Sequence, residues 1–135
     1  MSDMNKAVIE EFRANSGKVG GYFENSTLLL LHTTGAKSGK QRLNPLVTVE
    51  DGDRLVVAAS KAGAPSHPDW YHNVVANSAV EVEYGPDRFQ AQAVITEEPE
   101  RSELYKKLAS AFPAFAEYKE KTTRVIPIIA LTRTT

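Results

Sequence analysis

The chain has 135 residues, a formal net charge of -1 and no cysteine. This length predicts one domain over residues 1–135, in which residues 1–26 form an N-terminal helix and linker. The near-neutral charge argues against a nucleic-acid partner, because general nucleic-acid binders carry a strong basic excess. Without cysteine the chain forms neither a disulfide nor a thiolate-bound metal site, and its three histidines show no metal-ligand spacing. We therefore predict no metal.

The first half of the sequence predicts a helix followed by an antiparallel meander. Asp3 is a suitable N-cap, apolar residues at helical spacing follow it, and the glycine-containing segment 16–21 ends the helix. Alternation and turn residues then predict the other elements of this half. These are a buried strand over 27–32, a loop over 33–41, a strand over 42–50, a turn at 51–53 and a returning strand over 54–60.

The second half alternates helices and strands. Pro68 suits the first turn of a helix, and Asp69 is favourable near its positive end. Pro113 ends a later helix, whose apolar residues recur at spacing four. The predicted elements are a helix from 68 to about 77, strands over 80–84 and 88–95, helices over 99–112 and 115–121, and an apolar, central strand over 125–131.

About six strands, mostly in hairpins, and three or four helices predict an α+β protein that is mainly β. Closing such a sheet into a barrel removes its exposed edges. Because side chains fill the interior of a small barrel, we expect a ligand on the outside, at a barrel wall or between two subunits. The longest aliphatic run, residues 28–31, is too short for membrane insertion. We expect a cytoplasmic protein, with peripheral membrane association as the alternative.

Cations, hydroxyls and glycines concentrate in the loop over residues 33–42. Lys37, Lys40 and Arg42 lie close to Ser38, and the glycines allow backbone N–H groups to converge on an anion. This is not a Walker A loop, because Gln41 stands where a Ser or Thr is required and a strand follows. The loop alone leaves two interpretations open, an anion-binding site and a solvated hairpin tip.

A second candidate region, residues 60–73, leaves a strand, crosses a glycine loop and enters a helix. A helix N-terminus presents free N–H donors to an anion or a polar ring edge, and Lys61 adds a positive charge. Trp70 and Asn73 lie three residues apart on one helix face. Trp70 also fits a core anchor, and Asn73 also fits a residue that ties down a loop. Ser66 and His67 lack an acid partner and an elbow motif, which argues against hydrolysis.

A third region contains three aromatic residues, Phe112, Phe115 and Tyr118, at spacing three around Pro113. Such a stripe is usually part of a core, and the alternative is an aromatic lid over an apolar substrate. Tyr118 carries a hydroxyl that could donate a proton to a developing anion, so it is the candidate catalytic residue.

Several of these segments, in this order, resemble the deazaflavin-dependent nitroreductase family of actinobacteria. They are residues 28–42 with Pro45 and Leu46, residues 59–64, 67–73 and 76–77, Tyr118, and residues 123–127. The resemblance extends over roughly residues 27–131. It implies a six-stranded antiparallel split β-barrel with flanking helices, similar to the flavin-mononucleotide-binding oxidases. It also implies the cofactor F420, an 8-hydroxy-5-deazaflavin with a polyanionic phospholactyl-oligoglutamate tail.

The family pattern further implies a role for each matching residue. The tail would meet Lys37, Ser38, Lys40 and Arg42, while Pro45 and Val47 would lie near the ring. The ring or ribityl oxygens would be held by Ser60, Lys61, Gly63 and Ala64, and Trp70 and Asn73 would support the same wall.

The implied activity is hydride transfer from reduced F420 to an electron-poor small molecule, a quinone-like or nitroaromatic acceptor. One departure favours quinones, because family members active on bulky nitroaromatics are expected to carry tyrosines where this chain has Phe112 and Phe115. Two other classes stay open: a non-catalytic module that binds a deazaflavin or nucleotide, and a flavin-mononucleotide (FMN) oxidoreductase on the same barrel. Related barrels often dimerise, so we also expect a homodimer.

Overall fold

The computed structural model describes residues 3–20, 27–60, 67–122 and 125–134. In chain order the elements are α1 (Asp3–Ala14), β1 (Leu28–Thr34), β2 (Gln41–Val47), β3 (Val49–Asp51), β4 (Arg54–Ala58), α2 (Asp69–Ala76), β5 (Ala79–Tyr84), β6 (Asp87–Ile95), α3 (Glu100–Ala111), α4 (Ala114–Lys121) and β7 (Ile128–Arg133).

The strands form one antiparallel sheet in the order β2-β1-β5-β6-β7-β4-β3. Its two outermost strands, β2 and β3, are consecutive in the chain and are separated only by Thr48. The sheet therefore curls into a half-barrel whose two edges meet at this residue. The mainly β, antiparallel architecture predicted from the sequence is confirmed.

The predicted count of six strands is wrong, because segment 42–50 is divided at Thr48. The Thr48 N–H donates to the carbonyl of Thr27 at 2.9 Å, which continues the pairing of β2 with β1. The Thr48 hydroxyl donates to the carbonyl of Val56 in β4, also at 2.9 Å. Since this buried residue bonds to both sides of the sheet, the strand changes partner there and becomes two elements.

The two faces of the sheet carry separate apolar clusters. Leu29 and Leu31 point to one face, where five strands pack with Trp70 and Val74 of α2. Leu28 and Leu30 point to the opposite face, which α1, α3 and α4 cover. This division follows from the alternation of side chains along a strand, and it fixes the side of the sheet on which each site residue lies.

The helices and the remaining strands follow the predicted order. Pro113 separates α3 from α4. β7 lies between β6 and β4, so the predicted central position of the last strand is confirmed, although it begins at Ile128 rather than at residue 125. In the part of the chain that the structure describes, none of the helices has the length and apolar character needed to cross a bilayer.

Candidate functional site

The loop between β1 and β2 is a compact turn held by its own backbone. The Gly35 N–H donates to the Lys40 carbonyl at 2.8 Å, and the Gly39 N–H donates to the Gly35 carbonyl at 3.0 Å. Gly39 has a φ of +70°, a conformation that favours glycine. A Cβ on Gly35 would lie 2.6 Å from the Ser38 hydroxyl oxygen, so Gly35 permits the close approach of that side chain.

Asn73 of α2 ties this loop to the body of the protein. Its side-chain oxygen accepts the N–H of Ala36 at 2.9 Å, and its side-chain nitrogen donates to the Thr33 hydroxyl at 3.2 Å. Asn73 and Thr33 are both buried, with 7% and 1% exposure. Because both the oxygen and the nitrogen of the Asn73 amide are bonded, this residue fixes the end of β1 and the start of the loop together. The interpretation of Asn73 as a residue that ties down a loop is thus confirmed.

Trp70 holds α2 in place beneath the loop. It is 5% exposed and packs in the apolar cluster together with Val74, one turn further along the same helix. Burial of an aliphatic side chain such as Val74 contributes roughly 1.5–3 kcal/mol, so α2 has a firm apolar anchor. Trp70 is therefore a core residue whose outer surface also forms part of the groove wall.

Three cations of this region have no anionic partner among the residues that the structure describes. Seven ion pairs occur among the described residues, and none of them includes Lys37, Lys40 or Arg42. All three side chains are exposed. In contrast, the arginines at 13, 54, 88 and 101 each contact a carboxylate. Among the described residues, three cations without a carboxylate partner are thus concentrated at one loop. Their positive charge would attract an anion to this loop.

A groove of about 1080 Å³ lies between this loop, β2 and α2. It brings together five of the predicted cofactor-binding residues. Its lining consists of Gly35, Ala36, Lys37, Ser38, Gln41, Arg42, Leu43, Asn44, Pro68, Asp69, Trp70, His72 and Asn73. Lys40 belongs to the same loop but is not among these lining residues. One wall of the groove is therefore basic and the opposite wall is the first turn of α2.

The first turn of α2 adds positive potential to that wall. Pro68 is the N-cap residue of the helix, and its side chain makes no capping hydrogen bond. A helix N-terminus carries partial positive charge, which favours an anion in the groove. Asp69 occupies the same turn and lines the groove as well, so the wall is mixed rather than uniformly positive.

Besides Gln41, which belongs to the basic loop but was not a predicted binding residue, sequence reasoning missed three polar residues of the groove: Asn44, Asp69 and His72. Asn44 lies two residues after Arg42 in β2, and this spacing places both side chains on one face of a strand. Asp69 and His72 share a helix face at spacing three, as Trp70 and Asn73 do. The spacing was therefore an available signal for all three.

The structure does not bring Pro45, Val47 and Ser60 into the groove lining. Pro45 and Val47 alternate with Arg42 and Asn44 along β2, so they lie on the face that α1, α3 and α4 cover, where Val47 is buried. Ser60 is buried just after the end of β4. The predicted positions Lys61, Gly63 and Ala64 lie outside the described residues.

The aromatic residues of the third region are mainly core residues. Phe112 and Phe115 are 8% and 5% exposed, and their rings meet edge to face with centroids 5.4 Å apart. Tyr118 is half-buried and packs on Phe115 with a centroid distance of 5.7 Å. It contacts the same apolar cluster as Val47, so it lies across the sheet from Trp70. The core interpretation fits Phe112 and Phe115 better than the lid.

The face of the sheet that α1, α3 and α4 cover also holds a charged cluster. Arg13 donates to both carboxylate oxygens of Glu83, at 3.2 and 2.8 Å, and His32 Nε2 lies 2.6 Å from the same carboxylate. The Arg13 guanidinium holds the pKa of Glu83 below its usual value; burial opposes this effect, and His32 reinforces it. The cluster thus links α1 to β1 and β5.

The model of the F420H(2)-dependent quinone reductase family matches residues 4–133, nearly the whole chain. The chain belongs to this family. A relative in Mycobacterium tuberculosis strain H37Rv, named as an F420H(2)-dependent quinone reductase, is 37% identical over 126 residues, which cover 90% of this chain and 85% of the relative. This confirms the deazaflavin-dependent resemblance found in the motifs, the class of oxidoreductase, and F420 as the cofactor.

Solved structures show the same relationship. An F420-H2-dependent reductase is 43% identical, with a TM-score of 0.72, and the match covers 77% of this chain and 92% of that one. A second structure, described as a domain-swapped dimer, is 38% identical with a TM-score of 0.73 and covers 91% of this chain and 93% of its own. A haem storage protein from Vibrio cholerae, 15% identical with a TM-score of 0.63, shares the fold alone.

Proposed function

We propose that this protein transfers a hydride from reduced F420 to a quinone-like acceptor and holds the cofactor's anionic tail in the groove beside β2. The observation that carries the proposal is a set of cations, Lys37, Lys40 and Arg42, that no described carboxylate pairs with, on a loop that Asn73 fixes in place. A polyanionic tail fits such a site because several charge-assisted contacts act together. One exposed ion pair would contribute only about 0–1 kcal/mol.

The two ends of β2 suit the two ends of the cofactor. Arg42 and Val47 lie at opposite ends of the strand, which at roughly 3.3 Å per residue separates them by about 17 Å. We assign the tail to Lys37, Ser38, Lys40 and Arg42, and the ring to the neighbourhood of Pro45 and Val47. Ser60, Lys61, Gly63 and Ala64 would then hold ring or ribityl oxygens, while Trp70 and Asn73 support the groove wall.

When bound, reduced F420 supplies the hydride, and the protein supplies orientation, exclusion of water and a proton. Tyr118 is the proposed proton donor. Its support is position: it packs against the same apolar cluster as Val47, on the face of the sheet to which Pro45 also points. A phenol that donates to the reduced oxygen of the acceptor would neutralise the charge that the hydride leaves there.

The buried phenylalanines favour quinones over nitroaromatic compounds. Phe112 and Phe115 lie in the core and carry no hydroxyl, so they provide no hydrogen-bond donor to a nitro group. Reduction of a planar quinone needs fewer polar anchors. We therefore place nitroaromatic compounds second among the acceptors.

The remaining parts of the proposal concern architecture and location. The curled sheet, with its edges joined at Thr48, supports a split β-barrel of the kind found in flavin-mononucleotide-binding oxidases. A solved relative described as a domain-swapped dimer supports self-association, and we propose a homodimer. We propose a single-domain cytoplasmic protein, which could reach membrane quinones through peripheral contact.

A binding titration with F420 and with FMN, followed by turnover with menadione, tests the proposal. We expect micromolar or tighter binding of F420, weaker binding of FMN, and rapid oxidation of reduced F420 by menadione. Lys37→Ala combined with Arg42→Ala should weaken F420 binding at least tenfold. Lys106→Ala, an exposed lysine on α3, is the matched control and should not change it.

Each alternative predicts a different result. Binding of F420 without hydride transfer to any acceptor would indicate a storage module, and a yellow protein that prefers FMN would indicate a flavin enzyme. Absence of F420 binding at micromolar concentrations would reject the proposal. Unchanged affinity in the double variant would reject the assignment of the tail to this loop.

A further inference from the structure

The backbone of β2 presents hydrogen-bonding groups to the groove, and two backbone hydrogen bonds at the ends of the β1–β2 ladder determine which residues present them. The Thr48 N–H donates to the Thr27 carbonyl at one end of the β1–β2 ladder, and the Gly35 N–H donates to the Lys40 carbonyl at the other. Both pairs continue the register in which Thr34 lies opposite Gln41. They are therefore hydrogen-bonded pairs, and bonded and non-bonded pairs alternate between them.

This alternation sorts the residues of β2 into two sets. Arg42, Asn44 and Leu46 direct their N–H and C=O groups toward β1. Gln41 and Leu43 direct theirs away from β1, as does every second residue beyond them. Pro45, which lies opposite Leu30, belongs to the outward set. This agrees with its chemistry, because proline lacks an N–H and would remove a ladder hydrogen bond if it were one of the inward residues.

The outward side of β2 faces the groove rather than another strand. β2 is the terminal strand of the sheet order, and no described segment hydrogen-bonds to the outward backbone groups of Gln41 or Leu43. Both residues line the groove beside Lys37 and Arg42. An unpaired strand edge is a template for another extended chain, and proteins normally cover or interrupt it. Here Pro45 interrupts it, which leaves a short free edge next to the cations.

The spacing of this edge suits a γ-linked glutamate chain. At about 3.3–3.4 Å per residue, the outward groups of Gln41 and Leu43 repeat at roughly 6.7 Å. An extended α-linked residue spans about 3.3–3.6 Å, and a γ-linked glutamate adds two methylene carbons to the repeat, which lengthens it to about 6 Å. Successive amides of such a chain therefore meet successive outward residues of β2, while its free carboxylates project toward the basic side chains.

We propose that the outward backbone groups of Gln41 and Leu43 form a hydrogen-bonding subsite for the amides of the cofactor's γ-linked glutamate tail. This inference rests on the proposed function, and it adds a second recognition element to the cations. The binding energy from the cations depends on the number of carboxylates in the tail, whereas the hydrogen bonds to the strand edge depend on the spacing of the tail's amides. Together they select a glutamate chain over a polyphosphate of similar charge.

Residue-resolved amide hydrogen exchange of the full chain tests the subsite directly. The probes are F420 with a glutamate tail and its precursor form that ends at the phospholactyl group. We expect the Gln41 and Leu43 amides to exchange fast in the free protein and at least tenfold more slowly with tailed F420. The Arg42 and Asn44 amides should exchange slowly in both states, and the tail-free form should leave all four unchanged.

A pair of variants gives a second readout. Leu43→Pro removes an outward N–H without breaking the ladder, and Leu43→Ala removes the same side chain but keeps the N–H. Relative to Leu43→Ala, Leu43→Pro should bind tailed F420 about three- to tenfold more weakly, the range expected for one hydrogen bond, and the tail-free form equally well. If Leu43→Pro does not fold, the exchange experiment on the natural chain still decides.

The possible failures are distinguishable. If tailed F420 binds but the Gln41 and Leu43 amides exchange as in the free protein, the subsite is refuted and the proposed function stands. The same holds if the two Leu43 variants bind tailed F420 equally. If neither form of F420 binds, the proposed function fails and the subsite fails with it.

Discussion

Asn73 should control the affinity for the cofactor's tail without taking part in the chemistry. Its amide holds the Ala36 N–H and the hydroxyl of the buried Thr33, and Ala36 and Asn73 line the groove together with Lys37. Replacement by alanine removes both bonds and leaves partly buried groups without partners. Such a loss costs about 1–3 kcal/mol of stability. For a domain of this size this corresponds to a fall in Tm of roughly 4–12 °C.

The functional effect of Asn73→Ala should appear in the affinity for the cofactor. A loop released from α2 must be ordered again when the tail binds, so the Kd for tailed F420 should rise by about tenfold for each 1.4 kcal/mol of that cost. The kcat at saturating cofactor should stay within about twofold. Hydrogen exchange at Ala36 should accelerate in the free protein. Asn77→Ala, at the exposed C-terminal end of the same helix, is the matched control.

Thr33→Val separates the two bonds of Asn73. It removes the hydroxyl that accepts from Asn73 but keeps the shape of the side chain, so the Ala36 bond survives. In a double-mutant cycle with Asn73→Ala, we expect a coupling energy of roughly 0.5–3 kcal/mol. Additive effects would show that the two residues do not act as a unit. An unchanged Kd for tailed F420, despite a lowered Tm, would refute the role of Asn73 in positioning the loop.

Three further predictions concern the fold around the site. Because Arg13 lowers the pKa of Glu83, their contact stabilises the protein above the usual glutamate pKa and is lost as the pH falls through the lowered value. The difference in Tm between the natural chain and Glu83→Gln should therefore be largest near neutral pH and vanish in strong acid; a constant difference would contradict this. Gly35→Ala should weaken F420 binding because its Cβ meets the Ser38 hydroxyl, and Ser38→Ala in the same chain should restore part of it. Thr48→Val should lower the free energy of unfolding by about 1–2 kcal/mol in urea titrations, because it removes the bond that joins the two edges of the sheet.

The sequence predicted the local elements well because their signals are local. Pro68 marks a helix start and Pro113 marks a helix end, and both are confirmed, since Pro68 lies at the N-terminus of α2 and Pro113 directly follows the C-cap of α3. The division of segment 42–50 at Thr48 could not be predicted, because Thr48 is itself a β-branched residue that favours a strand, and so are its neighbours Val47 and Val49. The break arises from a change of partner strand, and the partner strands β1 and β4 are distant in sequence from each other.

The sequence predicted the part of the candidate site that depends on local signals, and it did not predict the part that depends on long-range packing. Lys37, Ser38 and Arg42 share one loop, so their meeting in the groove needed no long-range information. Their relation to Trp70 and Asn73 depended on the packing of α2 against β1, which motif spacing alone does not reveal. Conversely, Pro45 was predicted for the same cofactor, but alternation along β2 points it to the other face of the sheet.

The placement of Pro45 shows that the predicted binding residues of β2 lie on both faces of this strand. Arg42 and Val47 point to opposite faces of β2, because they are an odd number of residues apart. A long cofactor that contacts both Arg42 and Val47 must pass over the edge between the faces, and at β2 no described segment hydrogen-bonds to the outward backbone groups of Gln41 and Leu43 along that edge. Only a terminal strand permits such a path. The curl of the sheet, which makes β2 and β3 its two ends while Thr48 joins them, thus leaves a stable strand with one side open to the groove.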